Sequence, residues 1–321
     1  MVKRRIALLT SGGDAPGMNP AIRAVTRKAI FHDCQVIGVA RGYQGLINGD
    51  FQTMQINSVA GIIQQGGTML KTARCEQFKT AEGFAKALHN LRDQKIDSVV
   101  VIGGDGSMAG AKKLSAAGID TVVIPATIDN DMPGTEYALG YDTALNTILE
   151  AVNKIRDTVC SHDRVAVVEV MGRHGGQLAL IAGIACGAET VIIPEIPYDM
   201  EQICQGLIRS NNRGKLYSIV LVAEGAGRGY DIASQIAART SFSTHVTVLG
   251  YIQRGGSPTA TDSIVASRMG AAAVDAIIAG KGNCLISLQK GDIAFIPYEE
   301  AAGYKPVINR QLYDLTGILG I

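Results

Sequence analysis

The chain has 321 residues, 47% of them hydrophobic, and its 30 Lys and Arg residues balance 29 Asp and Glu residues to a net charge of +1. This balance argues against an extended basic surface for nucleic acid or anionic lipid, and the absence of Trp argues against stacking platforms for single strands. The length fits one large or two medium-sized domains around an aliphatic core.

Short aliphatic runs recur along the chain and predict buried parallel strands. They lie at residues 6–9, 99–102, 122–124, 165–170, 191–193, 219–222 and 246–249. Apolar residues at helical spacing between these runs predict helices, for example over residues 21–32 and at Leu145, Ile148, Leu149, Val152, Ile155 and Val159. The alternation predicts an α/β fold with helices on both faces of the sheet, in which ligands bind where strands end.

The first predicted strand is followed by a glycine-rich loop, residues 10–19, that opens a helix. The backbone N–H groups at Gly12 and Gly13 can hold phosphate oxygens, because glycine has no side chain to block their approach. The loop has neither Walker A nor GxGxxG spacing, so an ordinary tight turn is an equal alternative.

Two later strand ends carry carboxylates. Residues 103–107 place Asp105 among glycines, where it either holds Mg²⁺ beside phosphates or caps the next helix. Residues 125–131 combine Thr127 with Asp129 and Asp131, and in an extended stretch both carboxylates point to the same side. One can act as a general base while the other orients a cation, although Asx runs are also common in turns. Together the two loops favour a phosphoryl-transfer site.

Arginines also recur in or beside strand-end loops. Arg74, Arg164, Arg173 and Arg254 have this position, which suits bidentate contacts with phosphate, and Glu224 can accept sugar hydroxyls. Each arginine taken alone is more simply explained as a solvated surface residue.

Seven motifs occur in order along nearly the whole chain. They are LTSGGDAPGMN, VVIGGDGS, TIDND, KIRDT, VVEVMGR, VLGYIQRGGSPTATD and ASRMG. Through them the chain resembles the bacterial ATP-dependent 6-phosphofructokinase family. The resemblance implies two Rossmann-like domains with mostly parallel sheets covered by helices. It assigns ATP binding to residues 1–140 plus 253–303 and sugar-phosphate binding to residues 141–252 plus 304–321.

The same resemblance implies phosphoryl transfer from MgATP to the 1-hydroxyl of fructose 6-phosphate in glycolysis, by a homotetramer with shared active sites. Its catalytic residues match Asp129 as the base, with Thr127, Arg74 and Arg173 supporting the transferred phosphoryl group. ATP-binding positions match Gly13, Tyr43, Arg74, Cys75, Gly104, Asp105, Gly106 and Ser107, with Asp105 on Mg²⁺. Substrate-binding positions match Thr127, Asp129, Asp131, Arg164, Met171, Gly172, Arg173, Glu224, His245, Tyr251 and Arg254, with Arg164 reaching into a neighbouring subunit. Positions for ADP or phosphoenolpyruvate as effectors match Arg23, Arg27, Arg156, Glu189, Arg213 and Lys215.

Several positions depart from the family pattern. His245 replaces an Arg that contacts the 6-phosphate from the neighbouring subunit, and Tyr251 replaces a His. In the effector pocket, Ile56, Gly61 and Tyr217 replace an Arg, an Asp and a His. The loss of phosphate donors there predicts weak allosteric control.

The phosphoryl donor is indicated by two positions. Pyrophosphate-using relatives usually carry Asp where Gly106 stands and Lys where Ala126 stands, a position where the present family has Gly. The absence of both charged residues favours ATP.

Two alternatives stay open. The altered residues His245 and Tyr251 leave room for another acceptor, either a different sugar phosphate or NAD. A catalytically weak paralogue, acting as a sugar-phosphate sensor or partner subunit, is the second, but the intact Asp105, Asp129 and Arg74 argue against it. We expect a cytoplasmic protein with reduced cysteines and neither nucleic-acid nor membrane partners, because the six cysteines are scattered and no apolar run approaches ~20 residues.

Overall fold

Two compact units make up the computed structural model, which describes residues 4–304 and 307–320. The first unit comprises Met1–Thr143 and Arg254–Pro306, and the second comprises Ala144–Gln253 and Val307–Ile321. The outermost residues of the predicted domains, 1–3 and 321, lie outside the described residues. The chain passes between units within three residues of the predicted boundaries. Residues up to Thr143 belong to the first unit because Thr143 is hydrogen-bonded to Asp262 of that unit.

The described residues form eleven strands. They are β1 (Arg5–Ser11), β2 (Gln35–Val39), β3 (Phe51–Met54), β4 (Ser98–Gly103), β5 (Asp120–Pro125), β6 (Val165–Val170), β7 (Thr190–Ile192), β8 (Ser218–Ala223), β9 (Thr244–Val248), β10 (Cys284–Gln289) and β11 (Asp292–Pro297).

The α-helices alternate with these strands. They are α1 (Met18–Phe31), α2 (Gly42–Asn48), α3 (Ala81–Asp93), α4 (Asp105–Ala116), α5 (Tyr141–Cys160), α6 (Gln177–Cys186), α7 (Met200–Asn212), α8 (Gly229–Thr240), α9 (Ala260–Ile278), α10 (Tyr298–Gly303) and α11 (Arg310–Leu319). None of the helices in the described part of the chain is long and apolar enough to span a membrane.

The first unit is built on a seven-stranded sheet with the order β11-β10-β5-β4-β1-β2-β3. The central strands are parallel and buried, as expected for aliphatic runs covered on both faces, whereas the outer strands β3 and β11 pair antiparallel. One face packs against α2, α3, α4 and α10, and α1 and α9 pack together and contact β1 and β5. The α/β prediction is confirmed in this unit.

The second unit has a four-stranded parallel sheet with the order β7-β8-β6-β9. All seven predicted strands exist, but the prediction that residues 246–249 form a buried strand is wrong. Strand β9 ends at Val248, which is 47% exposed, because β9 is the edge of its sheet and pairs only with β6.

Four strands were not predicted, namely β2, β3, β10 and β11. The apolar residues of β2 are interrupted by Gly38, and β11 contains Phe295 and has only one buried residue, Ile296, so neither is a continuous buried aliphatic run. All six cysteines are free thiols, as predicted.

Candidate functional site

The predicted phosphate and carboxylate loops meet at one edge of the sheet in the first unit. They follow β1, β4 and β5, which are neighbours, and the chain order reverses between β1 and β4. Such a reversal opens a crevice at the carboxyl ends of the strands, where ligands bind. The loops also contact one another: Ala126 N–H donates to the Gly103 carbonyl at 3.0 Å. A Cβ on Gly103 would collide with the Ser107 hydroxyl and the Ser11 carbonyl.

Helix α4 begins in this crevice with Gly104 as its N-cap and Asp105 in its first turn. The Asp105 side chain is exposed, and its Oδ1 accepts a hydrogen bond from Gly106 N–H at 2.6 Å. A Cβ on Gly106 would meet no atom within 4 Å. The helix start therefore presents an accessible carboxylate beside open space, next to N–H groups suited to phosphate.

Tyr43, an expected nucleotide contact, lies beneath this loop. It is 5% exposed, its ring stacks on Phe78 at 4.3 Å, and its hydroxyl donates to the Ser107 carbonyl at 2.6 Å. Burial raises the pKa of Tyr43 well above its usual value, so the hydroxyl remains a donor. Tyr43 supports the loop, and its contact with nucleotide stays a prediction.

The loop after β5 folds differently from expectation. The extended stretch that would point Asp129 and Asp131 to the same side does not form, because Ile128 and Asp129 lie in a turn and Asn130 has a left-handed φ of +50°. The two carboxylates are instead related through Thr127. Its Oγ1 accepts from Asp129 N–H and donates to Asp131 Oδ1, both at 3.3 Å. This hydroxyl, which the sequence placed beside the base, also shapes the loop.

Arg74 belongs to a long segment that buried polar groups hold against the first loop. Asn19 is 2% exposed, donates to the Gln65 and Gly66 carbonyls and accepts from Met69 N–H. The Thr72 hydroxyl, two residues before Arg74, donates to the Gly12 carbonyl at 2.8 Å. Sequence reasoning missed Asn19, although its position at the end of the first glycine-rich motif could have drawn attention to it.

Two other expected ligands differ in exposure. Arg74 is exposed and has no hydrogen-bond partner among the described residues, whereas Cys75 is half-buried and donates its thiol to Gln44 Oε1 at 3.3 Å. The guanidinium of Arg74 is therefore available to a ligand.

Arg254 lies in the first unit, against the first glycine-rich loop. Its Nη1 donates to the Asp14 carbonyl at 3.4 Å, and a Cβ on Gly13 would collide with its guanidinium. A side chain at position 13 would therefore displace the Arg254 guanidinium from this loop. The described residues contain no group of three or more His, Cys, Asp or Glu side chains placed to hold a metal.

In the second unit, the expected sugar-binding loops follow the neighbouring strands β6 and β8. Gly225 N–H donates to the Gly172 carbonyl at 3.1 Å, which brings the Met171–Arg173 segment beside Glu224. The Arg173 and Glu224 side chains are exposed. Gln253, which sequence reasoning missed despite its place in the QRGGSP motif, is fully buried and accepts from Met171 N–H at 3.1 Å.

Arg164 and His245 line one cavity of about 290 Å³ in the second unit. Lys154, Thr158 and Thr247 also face it, and none of the described lining residues is acidic. The cavity therefore carries basic groups and hydroxyls that suit an anion. Tyr251, expected near this phosphate, is 85% exposed and does not line the cavity.

The expected effector residues divide between the units. Arg23 and Arg27 lie on α1 in the first unit, and the other four lie in the second. There Glu189 is paired with Lys215 and accepts from Ile219 N–H, and Arg156 donates to the Cys186 carbonyl. Glu189 and Arg213 line a cavity of about 370 Å³.

Comparison with known proteins gives one family. A model described as Phosphofructokinase matches residues 5–277. The ATP-dependent 6-phosphofructokinases of Shouchella clausii and Alkaliphilus metalliredigens are 53% and 52% identical over 318 residues, which is 99% of this chain and 100% of each relative. The solved phosphofructokinase of Saccharomyces cerevisiae has a TM-score of 0.87 at 37% identity over 93% of this chain, which spans only 45% of the yeast chain. A pyrophosphate-dependent phosphofructokinase of Marinobacter aquaeolei has a TM-score of 0.87 at 22% identity, covers 96% and 86% of the two chains, and shows the fold alone.

Proposed function

Because the chain belongs to the phosphofructokinase family, we propose that it transfers the γ-phosphoryl group of ATP to the 1-hydroxyl of fructose 6-phosphate. The products are ADP and fructose 1,6-bisphosphate, and the reaction is a step of glycolysis. The observation that carries the proposal is the meeting of two carboxylate loops on neighbouring strands. Asp105 follows β4 at a helix start suited to phosphates, and Asp129 follows β5 within the adjoining loop.

The residues at the start of α4 fit a Mg²⁺ ion carried by the nucleotide. Asp105 offers an exposed carboxylate beside the open space at Gly106, and Mg²⁺ is commonly held by one or two carboxylates together with substrate phosphates. When bound there, Mg²⁺ would supply positive charge to offset that of the phosphate oxygens. Asp105 is the residue that would hold it.

In the transfer step, Asp129 accepts the proton of the sugar 1-hydroxyl while the hydroxyl oxygen forms a bond to the γ-phosphorus. The bond between this phosphorus and the β,γ-bridging oxygen breaks, and its electrons leave with ADP. The exposed guanidinium of Arg74 and the Thr127 hydroxyl stabilise the transferred group. The protein thus contributes positioning and charge stabilisation, as phosphoryl transfer requires.

ATP rather than pyrophosphate is the donor in this proposal. Gly106 and Ala126 leave the nucleotide loop without the Asp and Lys that, by the family resemblance, accompany pyrophosphate use. Since Gly106 faces open space, nothing in its surroundings prevents a carboxylate there. The absence of a carboxylate at position 106 therefore leaves this space open to a nucleotide.

In this proposal, residues of the second unit bind the sugar phosphate together with Thr127, Asp129, Asp131 and Arg254 of the first unit. Glu224, Met171 and Arg173 suit its hydroxyls and charge, and the basic cavity of Arg164 and His245 suits its 6-phosphate. By the family resemblance, this cavity serves the active site of a neighbouring subunit, so we propose a homotetramer with shared sites. A cytoplasmic location remains a prediction.

Weak regulation accompanies this proposal. Lys215 is paired with Glu189, and Arg156 is bonded to a backbone carbonyl, so two expected effector-binding cations already have partners. ADP and phosphoenolpyruvate should shift half-saturation for the sugar phosphate only slightly, because coupling is limited by differential contacts.

The direct test is ADP release by the purified protein with MgATP and a panel of sugar phosphates. We expect turnover with fructose 6-phosphate and little product when pyrophosphate replaces ATP. The Asp129→Asn protein is the control for a contaminating kinase. Turnover confined to another acceptor, or binding without turnover, would refute the proposal in favour of the altered-acceptor or sensor alternative.

A further inference from the structure

One side chain, Asn130, connects the two arms of the loop that carries Asp129. Its Oδ1 accepts a hydrogen bond from Ala138 N–H at 2.7 Å, and its Nδ2 donates to the Glu136 carbonyl at 3.1 Å. The residue directly after the proposed base is therefore tied to a segment six to eight residues further along the chain.

The conformation at this position selects for the same residue type. Asn130 has a φ of +50°, a left-handed conformation that Gly, Asn and Asp adopt more readily than other residues. Its two hydrogen bonds require a donor and an acceptor on one short side chain. Glycine supplies neither and aspartate supplies only the acceptor, so Asn meets both requirements.

The segment that Asn130 contacts is itself held by the β10–β11 hairpin. Glu136 N–H donates to the Leu288 carbonyl at 3.0 Å, and Lys290 N–H donates to Glu136 Oε2 at 2.8 Å. Leu288 N–H also donates to Thr135 Oγ1 at 3.1 Å. Since β10 pairs with β5, the hairpin is part of the sheet from which the loop emerges. Asn130 thus links the loop to a rigid element.

We propose that Asn130 is a positioning residue for phosphoryl transfer, which holds the Asp129 carboxylate in its reactive placement by joining its turn to the hairpin-supported segment. The inference rests on the proposed function and extends it to a residue that needs no contact with substrate. A displacement of about 1 Å at a reacting group can lower the rate by about 10²-fold. Loss of both hydrogen bonds should therefore affect turnover more than binding.

The first experiment uses Asn130→Gly, which keeps the left-handed backbone and deletes both hydrogen bonds. With MgATP and the acceptor identified by the sugar-phosphate panel, we expect kcat to fall about 30- to 100-fold while both KM values change less than about threefold. Equal losses in kcat and in affinity would overturn the proposal.

Asn283→Gly is the matched control. Asn283 also has a left-handed φ, +60°, and its Oδ1 accepts from Thr121 N–H at 3.2 Å near the opposite end of β5. We expect this variant to lose stability similarly and to retain kcat. A comparable fall in kcat would show that any weakening of the first unit lowers turnover, and the specific role of Asn130 would be lost.

A double variant tests whether Asn130 acts through the base. In an Asp129→Asn background, Asn130→Gly should reduce the residual rate by less than about threefold, because the group it positions has already lost its function. A full 30- to 100-fold further reduction would establish an independent effect and refute the proposal.

Hydrogen exchange separates this inference from the proposed function. In Asn130→Gly, but not in Asn283→Gly, the peptide covering residues 129–139 should exchange faster, since the Ala138 amide loses its acceptor. Unchanged exchange would refute the link itself, and faster exchange with wild-type kcat would refute its role in positioning. Absence of fructose 6-phosphate turnover in the wild type would refute the proposed function while leaving the exchange result valid.

Discussion

Replacing the buried carboxylate of Asp262 should weaken the first unit strongly. Asp262 is fully buried in α9 and accepts four hydrogen bonds. The Tyr137 hydroxyl and Gly140 N–H reach Oδ1 at 2.8 Å each, and Thr143 N–H and Oγ1 reach Oδ2 at 2.8 and 2.5 Å. The carboxylate therefore satisfies the start of α5 and the end of the Asp129 loop together.

The loss of unfolding free energy depends on how many hydrogen-bond donors lose their acceptor. Asp262→Ala leaves all four without one, and removing one partner of a buried charged network costs about 3–5 kcal/mol. Asp262→Asn keeps one oxygen and turns its amide group toward the other donors. Thr143 Oγ1 can then accept instead, which leaves the Thr143 N–H unsatisfied at about 1–3 kcal/mol.

The difference in unfolding free energy between the wild type and Asp262→Asn should depend on pH. Burial, opposed by the four hydrogen bonds, raises the pKa of Asp262 above its usual 3.8. When the pKa of a carboxyl is higher in the folded protein than in the unfolded chain, the protonated carboxyl stabilises the fold. This stabilisation is complete below the pKa of the unfolded chain and is lost as the pH rises through the pKa of the folded protein. Because Asn does not titrate, the advantage of the wild type over Asp262→Asn should grow as the pH falls from about 7 toward 4.

Urea unfolding followed by far-ultraviolet circular dichroism measures both effects at several pH values. Asp275→Asn is the matched control, since Asp275 lies on the same helix, is half-exposed and pairs with Lys28 at 3.0 Å; its loss should cost less than about 1 kcal/mol. Equal costs at Asp262 and Asp275 would refute the network argument. If the wild type instead loses its advantage over Asp262→Asn as the pH falls, the hydrogen bonds outweigh burial in setting the pKa of Asp262.

Three further changes concern the proposed reaction. Asp129→Asn removes basicity while keeping shape, so kcat measured by ADP release should fall about 10²-fold or more with little change in affinity; near-normal turnover would exclude Asp129 as the base. Gly106→Asp should fold normally but raise KM for MgATP about tenfold through charge repulsion, whereas Gly106→Ala should not; equal KM values would refute the electrostatic explanation. His245→Arg should tighten fructose 6-phosphate binding by about 1 kcal/mol with kcat nearly unchanged, because arginine offers phosphate paired donors; identical half-saturation would remove His245 from the phosphate site.

The sequence was sufficient for the most aliphatic strands, although it missed β2 and β10 inside the seven-stranded sheet. Runs such as Val99 to Ile102 have no polar position, so only a strand covered on both faces accommodates them. The edge strands carried a weaker signal because their exposed residues break the aliphatic pattern. Residues 246–249 were aliphatic enough to suggest burial, and only the sheet order reveals that β9 has one neighbour.

The sequence predicted which loops come together but not the conformation within them, and the roles of the site residues stay predictions. The glycine-rich loops and the Asp129 loop meet as the strand-end rule requires. The spacing of Asp129 and Asp131 did not predict the directions of their side chains, because Asn130 between them has a left-handed φ. The contact of Arg254 with the first loop joins residues 240 positions apart, which no local pattern can indicate.

The discontinuous units constrain the order in which the chain can fold during synthesis. The first unit must await residues 254–306, because β10 pairs with β5, which was made some 160 residues earlier. The second unit has its whole sheet by β9 but waits for α11, which packs against α6 and β7. A nascent chain ending near residue 253 therefore exposes an unpaired edge at Val122 and Val123, two apolar β-branched residues prone to pair with other chains. Until residues 254–306 have been made, we expect the open edge of the first unit to be the part of the nascent chain most prone to pair with other chains.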